Sequence, residues 1–156
     1  VSSGTATTVD YIDPLGRFRG GAILPGFELS ARSLHEYTAL LPLVSLGPLL
    51  AAPPDEIGRH TEGAIQSGLY WGHVGAVREL LRRQLHRATE EQRAEHAEPS
   101  LHLGNMTDDE LPLVIVTGGG APLLLPHLPS FCREEPVLPL QGLALAIRQL
   151  LPVDIA

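Results

Sequence analysis

Residues 4–23, GTATTVDYIDPLGRFRGGAI, decide how this chain folds. TATTVDYID at 5–13 is rich in β-branched and aromatic residues, which predicts a strand. DPLG at 13–16 carries proline at the second place and glycine at the fourth, the chemistry of a tight turn. A second strand, Arg17 to about Ile23, then returns antiparallel, so residues 5–24 form a hairpin turning at Pro14–Gly16. The cluster in front of it, Gly4-Thr5-Ala6-Thr7-Thr8, has two readings. Threonine-rich strand starts are common, yet a glycine followed by threonines can also cradle a phosphate. Glycine lets the backbone approach closely, and threonine N–H and hydroxyl groups donate to the oxygens.

Working outward, residues 29–40 read as a helix with Leu29, Leu34 and Tyr37 or Thr38 on one face. The proline-rich stretch 42–56 reads as irregular. From His60 to about Arg87 runs the longest helical pattern, with Ile65, Leu69, Ala76, Val77, Leu80 and Leu81 as an apolar stripe. Thr61 is placed to close its first turn. Gly63, Gly68, Gly72 and Gly75 fall inside it, each costing about 1 kcal/mol against alanine. Either the helix breaks near Gly68–Gly72 or another backbone packs closely along that face. Residues 88–110 read as a solvated connector in which Asp108, Asp109 and Glu110 cap or face water. LPLVIVT at 111–117 is a continuous apolar run, as expected of a buried central strand. GGGAP leads into a short helix near 121–128, SFCREEPVLP is a loop, and Leu140–Leu151 forms a closing amphipathic helix. The order ββ, α, α, β, α, α makes a mixed α/β layer fold of one domain.

Composition narrows the chemistry. A net charge of −7 argues against a surface that tracks nucleic-acid phosphates. All 11 basic residues are arginine, which removes any P-loop or Schiff-base lysine. The single cysteine, Cys132, excludes an internal disulfide and suits a reducing compartment. No apolar run reaches bilayer length. A cytoplasmic protein without membrane partners is the expectation. The histidines form neither HExxH nor a zinc spacing with Cys132 and read as scattered surface residues. There is no GxSxG elbow. Thr117-Gly118-Gly119-Gly120 sits between a strand and a helix, where α/β folds place nucleotides, but lacks GxGxxG spacing; a plain tight turn reads equally well.

Taken in order, GTATTVD, GGAILPG at 20–26, TALLP at 38–42, IGRHTEGAIQSG at 57–68 and VTGGGAP at 116–122 resemble the C-terminal half of type III pantothenate kinases. LQGLALAI at 140–147 resembles their closing helix, and residues 88–110 are the least family-like part. The resemblance implies the second ribonuclease-H-like lobe of the acetate kinase, sugar kinase, Hsp70 and actin superfamily, a mixed sheet flanked by helices. It implies transfer of the ATP γ-phosphate to the 4′-hydroxyl of pantothenate, in a homodimer using Mg²⁺ and a monovalent cation, K⁺ or NH₄⁺. Gly4 and Thr5 match the glycine and threonine of the family's DxGTA motif that meets ATP. Thr61 matches the threonine of a GRNT-type motif that holds pantothenate, with capping of the helix as its other reading. Gly118 and Gly119 fall where the superfamily places the adenosine end of the nucleotide. The long glycine-bearing helix would lie near the dimer contact.

Several positions depart from the family pattern. Ser2 stands where DxGTA begins with the aspartate that binds the monovalent cation, and a neutral hydroxyl is a poor substitute for a carboxylate there. His60 replaces an asparagine, Tyr37 stands where a basic residue is common, and Gln141 replaces a frequent glutamate. The family's general base belongs to a GxDR motif upstream of DxGTA, so no residue here is offered as the catalytic base. The 156 residues are expected to be a single lobe, 1–156, without the N-terminal lobe, and to be inactive alone. A degenerate homologue that binds a ligand or partner without catalysis is the alternative.

Overall fold

The computed structural model describes residues 1–96 and 112–150. The elements, in chain order, are β1 (Ser2–Ser3), β2 (Ala6–Ile12), β3 (Phe18–Pro25), α1 (Phe27–Glu36), a 3-10 turn (Gly47–Leu50), α2 (Thr61–His96), β4 (Val114–Val116), α3 (Ala121–Leu124), a second 3-10 turn (Leu125–His127), β5 (Cys132–Glu134) and α4 (Leu138–Leu150). This is the mixed α/β architecture that the sequence implies.

The hairpin forms as expected, with Val9 opposite Ala22 and Tyr11 opposite Gly20. Its turn is built by Asp13, whose carbonyl accepts the Gly16 N–H at 2.9 Å while its carboxylate accepts the N–H groups of Leu15 and Arg17. Gly16 has φ +75°, a conformation that side-chain-bearing residues avoid.

Two strands escape the sequence reading. β1 pairs antiparallel with β2, Ser3 opposite Thr7, and at two residues is too short to leave a periodic signal. β5 lies within SFCREEPVLP, read as a loop; it is three residues long and pairs parallel with β4, Val114 opposite Cys132. A parallel bridge between Ser2 and Thr117 joins the two sheets. Ser3 N–H donates to the Thr117 carbonyl at 2.8 Å, and Thr117 N–H donates to the Val1 carbonyl at 2.9 Å. The strand order is therefore β3-β2-β1-β4-β5. Among the described strands, β2 alone runs against the rest.

α2 extends beyond the expected Arg87 to His96, taking in the start of the presumed connector. Arg87 pairs with Glu91 and Thr89 donates to the Leu85 carbonyl, one helical turn apart in each case, and buried Ala88 continues the core face. The helix does not break at Gly68–Gly72. Close backbone packing is found at the first of the four, where Gly58 lies against the Gly63–Ala64 backbone; at Gly68, Gly72 or Gly75 a Cβ would meet nothing within 4 Å among the described residues. α1 begins two residues earlier than expected and ends at Glu36. The apolar run 111–117 yields only Val114–Val116 as strand, and Leu113 is exposed. α4 is helical but none of its residues is buried. Asp108, Asp109 and Glu110 lie outside the described residues.

The core sits between the sheet and α2. Val9 of β2, Val77 of α2, Val116 of β4 and Leu124 of α3 have essentially no exposure. Burial of such side chains contributes about 1.5–3 kcal/mol each. Gln84 reaches from α2 to donate to the Val9 carbonyl at 2.7 Å. The Tyr70 hydroxyl lies 2.8 Å from Nε2 of His127, tying the segment after β4 to α2. No helix among the described residues is long and apolar enough to cross a membrane.

Candidate functional site

β1 and β4 are adjacent and parallel, so the segments that follow them, Gly4–Thr5 and Gly118–Gly120, leave from the same carboxyl edge of the sheet. In open α/β sheets this is the edge where ligands bind. Gly4, Thr5, Gly118 and Gly119 are all exposed there. Ser3 lies between the two segments: its carbonyl accepts the Gly120 N–H at 2.9 Å, while its N–H is held by Thr117. The fit leaves no room for side chains. A Cβ on Gly120 would overlap the Ser3 hydroxyl, and one on Gly118, already at φ +94°, would overlap the Ser3 backbone. At Gly119 the same atom would meet nothing.

A third wall comes from the start of α1. Gly26 is its N-cap and donates its N–H to the Thr5 carbonyl at 2.9 Å. A Cβ on Gly26 would overlap the carbonyl oxygens of Gly4 and Thr5. The positive end of the α1 dipole therefore stands beside the Gly4–Thr5 turn, a favourable setting for an anion. Gly4 N–H is used within the turn, bonded to the Ala6 carbonyl. The N–H groups of Thr5, Gly118 and Gly119 have no partner among the described residues, and neither does the Thr5 hydroxyl. Two loops thus present free donors side by side.

Thr61 is not brought into this cluster by any hydrogen bond. It is the first residue of α2, exposed, and its hydroxyl has no partner among the described residues. It does not cap the helix, as the sequence allowed. His60 does so: its Nδ1 accepts the Gly63 N–H at 3.1 Å, and its carbonyl accepts the Ala64 N–H. An imidazole nitrogen here fills the acceptor role that an asparagine oxygen would take. That leaves the Thr61 hydroxyl free for a ligand.

Ser2 offers one neutral, exposed hydroxyl at the edge of a cleft of about 500 Å³ that is also lined by Asp10, Tyr11, Leu81 and Thr117. Among the described residues no three of His, Cys, Asp and Glu converge. This donor set does not fit a protein-held Mg²⁺, and Ser2 itself brings no charge to a K⁺ or NH₄⁺ site.

The histidines correct the sequence reading most. His73 is buried on α2, its Nε2 3.0 Å from Thr7 Oγ1 and its ring 4.2 Å from that of Phe27. Burial pushes its pKa below the ordinary histidine value. Thr7 Oγ1 in turn lies 3.1 Å from Ser3 Oγ. His127 packs edge-on against Tyr70 and Trp71. Ser3 and His73 were missed by sequence reasoning, and no local signal marks either. Gly26 and Gly120 fell inside quoted stretches, GGAILPG and the run at 118–120, but were given no role of their own.

The model of the type III pantothenate kinase family matches residues 1–83. The type III pantothenate kinase of Gluconobacter oxydans is 42% identical over 145 residues, 93% of this chain and 45% of the relative. That of Cereibacter sphaeroides is 38% identical, over 93% of this chain and 47% of the relative. The chain spans about half the length of the curated relatives it matches. In fold it is similar to a crystal structure from Campylobacter jejuni, provisionally described as a transcriptional activator of the Baf family. The TM-score is 0.57 and the identity 18%, covering 98% of this chain and 58% of that one. On the family model and these relatives, the chain belongs to the type III pantothenate kinase family.

Proposed function

We propose that this chain supplies the second, ribonuclease-H-like lobe of an enzyme that phosphorylates pantothenate at its 4′-hydroxyl with ATP, the entry step to coenzyme A. The strand order β3-β2-β1-β4-β5 with β2 reversed supports the lobe assignment. The observation that carries the functional reading is the pair of loops joined through Ser3 at one edge of the sheet, in which the N–H groups of Thr5, Gly118 and Gly119 have no partner among the described residues. Phosphoryl transfer is chiefly positioning plus electrostatic stabilisation of phosphate oxygens, and oriented backbone donors supply both. Thr5 would donate to a phosphate through its N–H and hydroxyl. Gly118 and Gly119 would let the nucleotide lie against bare backbone. Thr61 would hold pantothenate through the hydroxyl that His60 leaves free.

No residue here serves as the general base, and Ser2 brings no charge for a cation, so the 156 residues alone turn over no pantothenate. The unfilled face over Gly68, Gly72 and Gly75 supports a second copy of the chain packing on α2 as a homodimer. The test is formation of 4′-phosphopantothenate, measured by mass spectrometry with K⁺ or NH₄⁺ present and absent. It is run on this chain and on a longer gene product carrying upstream GxDR and DxGNT motifs. Turnover by the longer form alone is expected; turnover by the 156 residues would overturn the placing of the chemistry. In the longer form Thr61→Ala should raise KM for pantothenate more than for ATP. A non-catalytic homologue would be silent in both forms.

A further inference from the structure

Three polar side chains form an unbroken line through the apolar interior, from α2 to the carboxyl edge of the sheet. His73 Nε2 lies 3.0 Å from Thr7 Oγ1, and Thr7 Oγ1 lies 3.1 Å from Ser3 Oγ. Ser3 and Thr7 have no exposure at all, and His73 has 8%. A buried hydroxyl or imidazole left unpaired is costly, so each member of the line depends on the next. Their neighbours are apolar: the Phe27 ring lies on the imidazole, and Val74 and Val77 flank it along the helix. The line ends on Ser3, whose N–H and carbonyl are the two bonds that seat Thr117 and Gly120. Its hydroxyl occupies the space that keeps Gly120 free of a side chain.

We propose that His73 is a positioning residue for the two loops: acting through Thr7 and Ser3, it fixes the edge from which Gly4–Thr5 and Gly118–Gly120 present their donors. The functional half of this inference rests on the reading of those loops as a nucleotide cradle. Apolar side chains at positions 7 and 73 could fill the same space, but they would not hold the Ser3 hydroxyl. Bonded to Thr7, that hydroxyl keeps one rotamer, and the backbone of β1 joins Ser3 to both loops. The same line joins the loops to α2, the helix that begins at Thr61, so the two candidate substrate positions share one rigid element.

Amide hydrogen exchange on the full chain tests the mechanical part. Thr7→Val removes one hydroxyl while keeping the shape, His73→Phe keeps a ring against Phe27 without a donor or acceptor, and His73→Gln restores a polar nitrogen. Exchange at the Ser3 and Gly120 amides should be about fivefold to tenfold faster in Thr7→Val and His73→Phe, the effect of one lost hydrogen bond. The Val9 and Ala22 amides, in the hairpin ladder, should change by less than about twofold. His73→Gln should return Ser3 and Gly120 to near their wild-type rates. Unchanged rates at Ser3 and Gly120 in Thr7→Val, or an equal rise throughout the hairpin, would overturn the proposal. Thr7→Val decides alone if His73→Phe does not fold. ATP added to the wild-type chain tests the cradle separately. Slower exchange at Thr5 and Gly119 supports it, whereas no change removes the nucleotide from the proposal and leaves the positioning of the loops to be judged on the variants.

Discussion

Alanine placed in turn at the three consecutive glycines 118, 119 and 120 should give three different results. At Gly118 two costs add. The residue sits at φ +94°, where a Cβ strains the backbone by about 1–2 kcal/mol. The new atom would also lie 2.8 Å from the Ser3 carbonyl carbon and 3.0 Å from its nitrogen, all backbone that cannot rotate away. Overpacking of that kind costs about 1–3 kcal/mol, so Gly118→Ala should lose about 2–5 kcal/mol. At Gly120 there is no backbone strain, but the Cβ meets the Ser3 side chain, with Ser3 Cβ at 3.1 Å and Phe27 Cδ2 at 3.4 Å. Ser3 is fully buried and bonded to Thr7, so it yields poorly, and a loss of about 1–3 kcal/mol follows. At Gly119 the Cβ enters open space; stability should stay within about 0.5 kcal/mol or rise slightly as the unfolded chain loses freedom. Urea unfolding followed by the fluorescence of Trp71 measures all three. With a slope of about 2 kcal/mol per molar, Gly118→Ala should move the midpoint down by about 1–2.5 M and Gly119→Ala should barely move it. The order is refuted if Gly119→Ala is as damaging as Gly118→Ala, or if Gly118→Ala is neutral. Gly119→Ala also separates stability from ligand: a normal midpoint with weakened ATP binding is expected.

His60→Ala should cost about 0.5–2 kcal/mol through loss of the α2 cap, and His60→Asn should recover most of it, both read by urea midpoint. Leu124→Ala, at a site with no exposure, should cost about 2–5 kcal/mol with an unchanged urea slope. Burial holds the His73 pKa below its ordinary value of 6.5, so between the lowered pKa and 6.5 the unfolded chain binds more protons. Its contribution is therefore fully present above about pH 6.5 and fades as pH falls; His73→Phe should flatten that part of the stability profile, measured by urea midpoints from pH 7.5 to 5. Hydrogen bonds from Arg82 and Arg83 hold the Glu79 carboxyl at about 2 against an ordinary 4.5. The difference between wild type and Glu79→Gln should accordingly be largest above pH 4.5 and shrink toward pH 2.

What the sequence disclosed followed the strength of local signals. The DPLG turn fixes its own geometry within four residues, and α2 carries an apolar stripe from Ile65 to Leu81, so both were legible. β1 and β5 were not, because two- and three-residue strands exist only by virtue of their neighbours and leave no period to read. His60 was placed in the right motif but given no task; that it caps in place of Thr61 depends on the turn of one imidazole. His73 was misread because a histidine on a helix is ordinarily at the surface, and its burial follows from a partner 66 residues away. The glycines of α2 suggested a break or a close neighbour, while the described chain shows open space beside three of them. For the loops, the cluster at Gly4–Thr5 and the run at Gly118–Gly119 were both recognised, but nothing local reveals that Ser3 and Gly26 lock them in place.

The bridge between Ser2 and Thr117 also shapes how the chain assembles. The hairpin β2–β3 closes over a few residues and can form early, whereas the contact that fuses the two sheets spans 114 residues, from the Val1 nitrogen to the Ile115 carbonyl. Closing a loop of that length costs about 4 kcal/mol in chain entropy. β1 recovers this with only a handful of ladder bonds and the buried Ser3 hydroxyl. Pairing of β1 with β4 is thus a late event that waits on α2 packing against the hairpin, and it should be the first seam to open under load. Pulled from Val1, the chain would unzip there first, parting the two loops before the hydrophobic core yields.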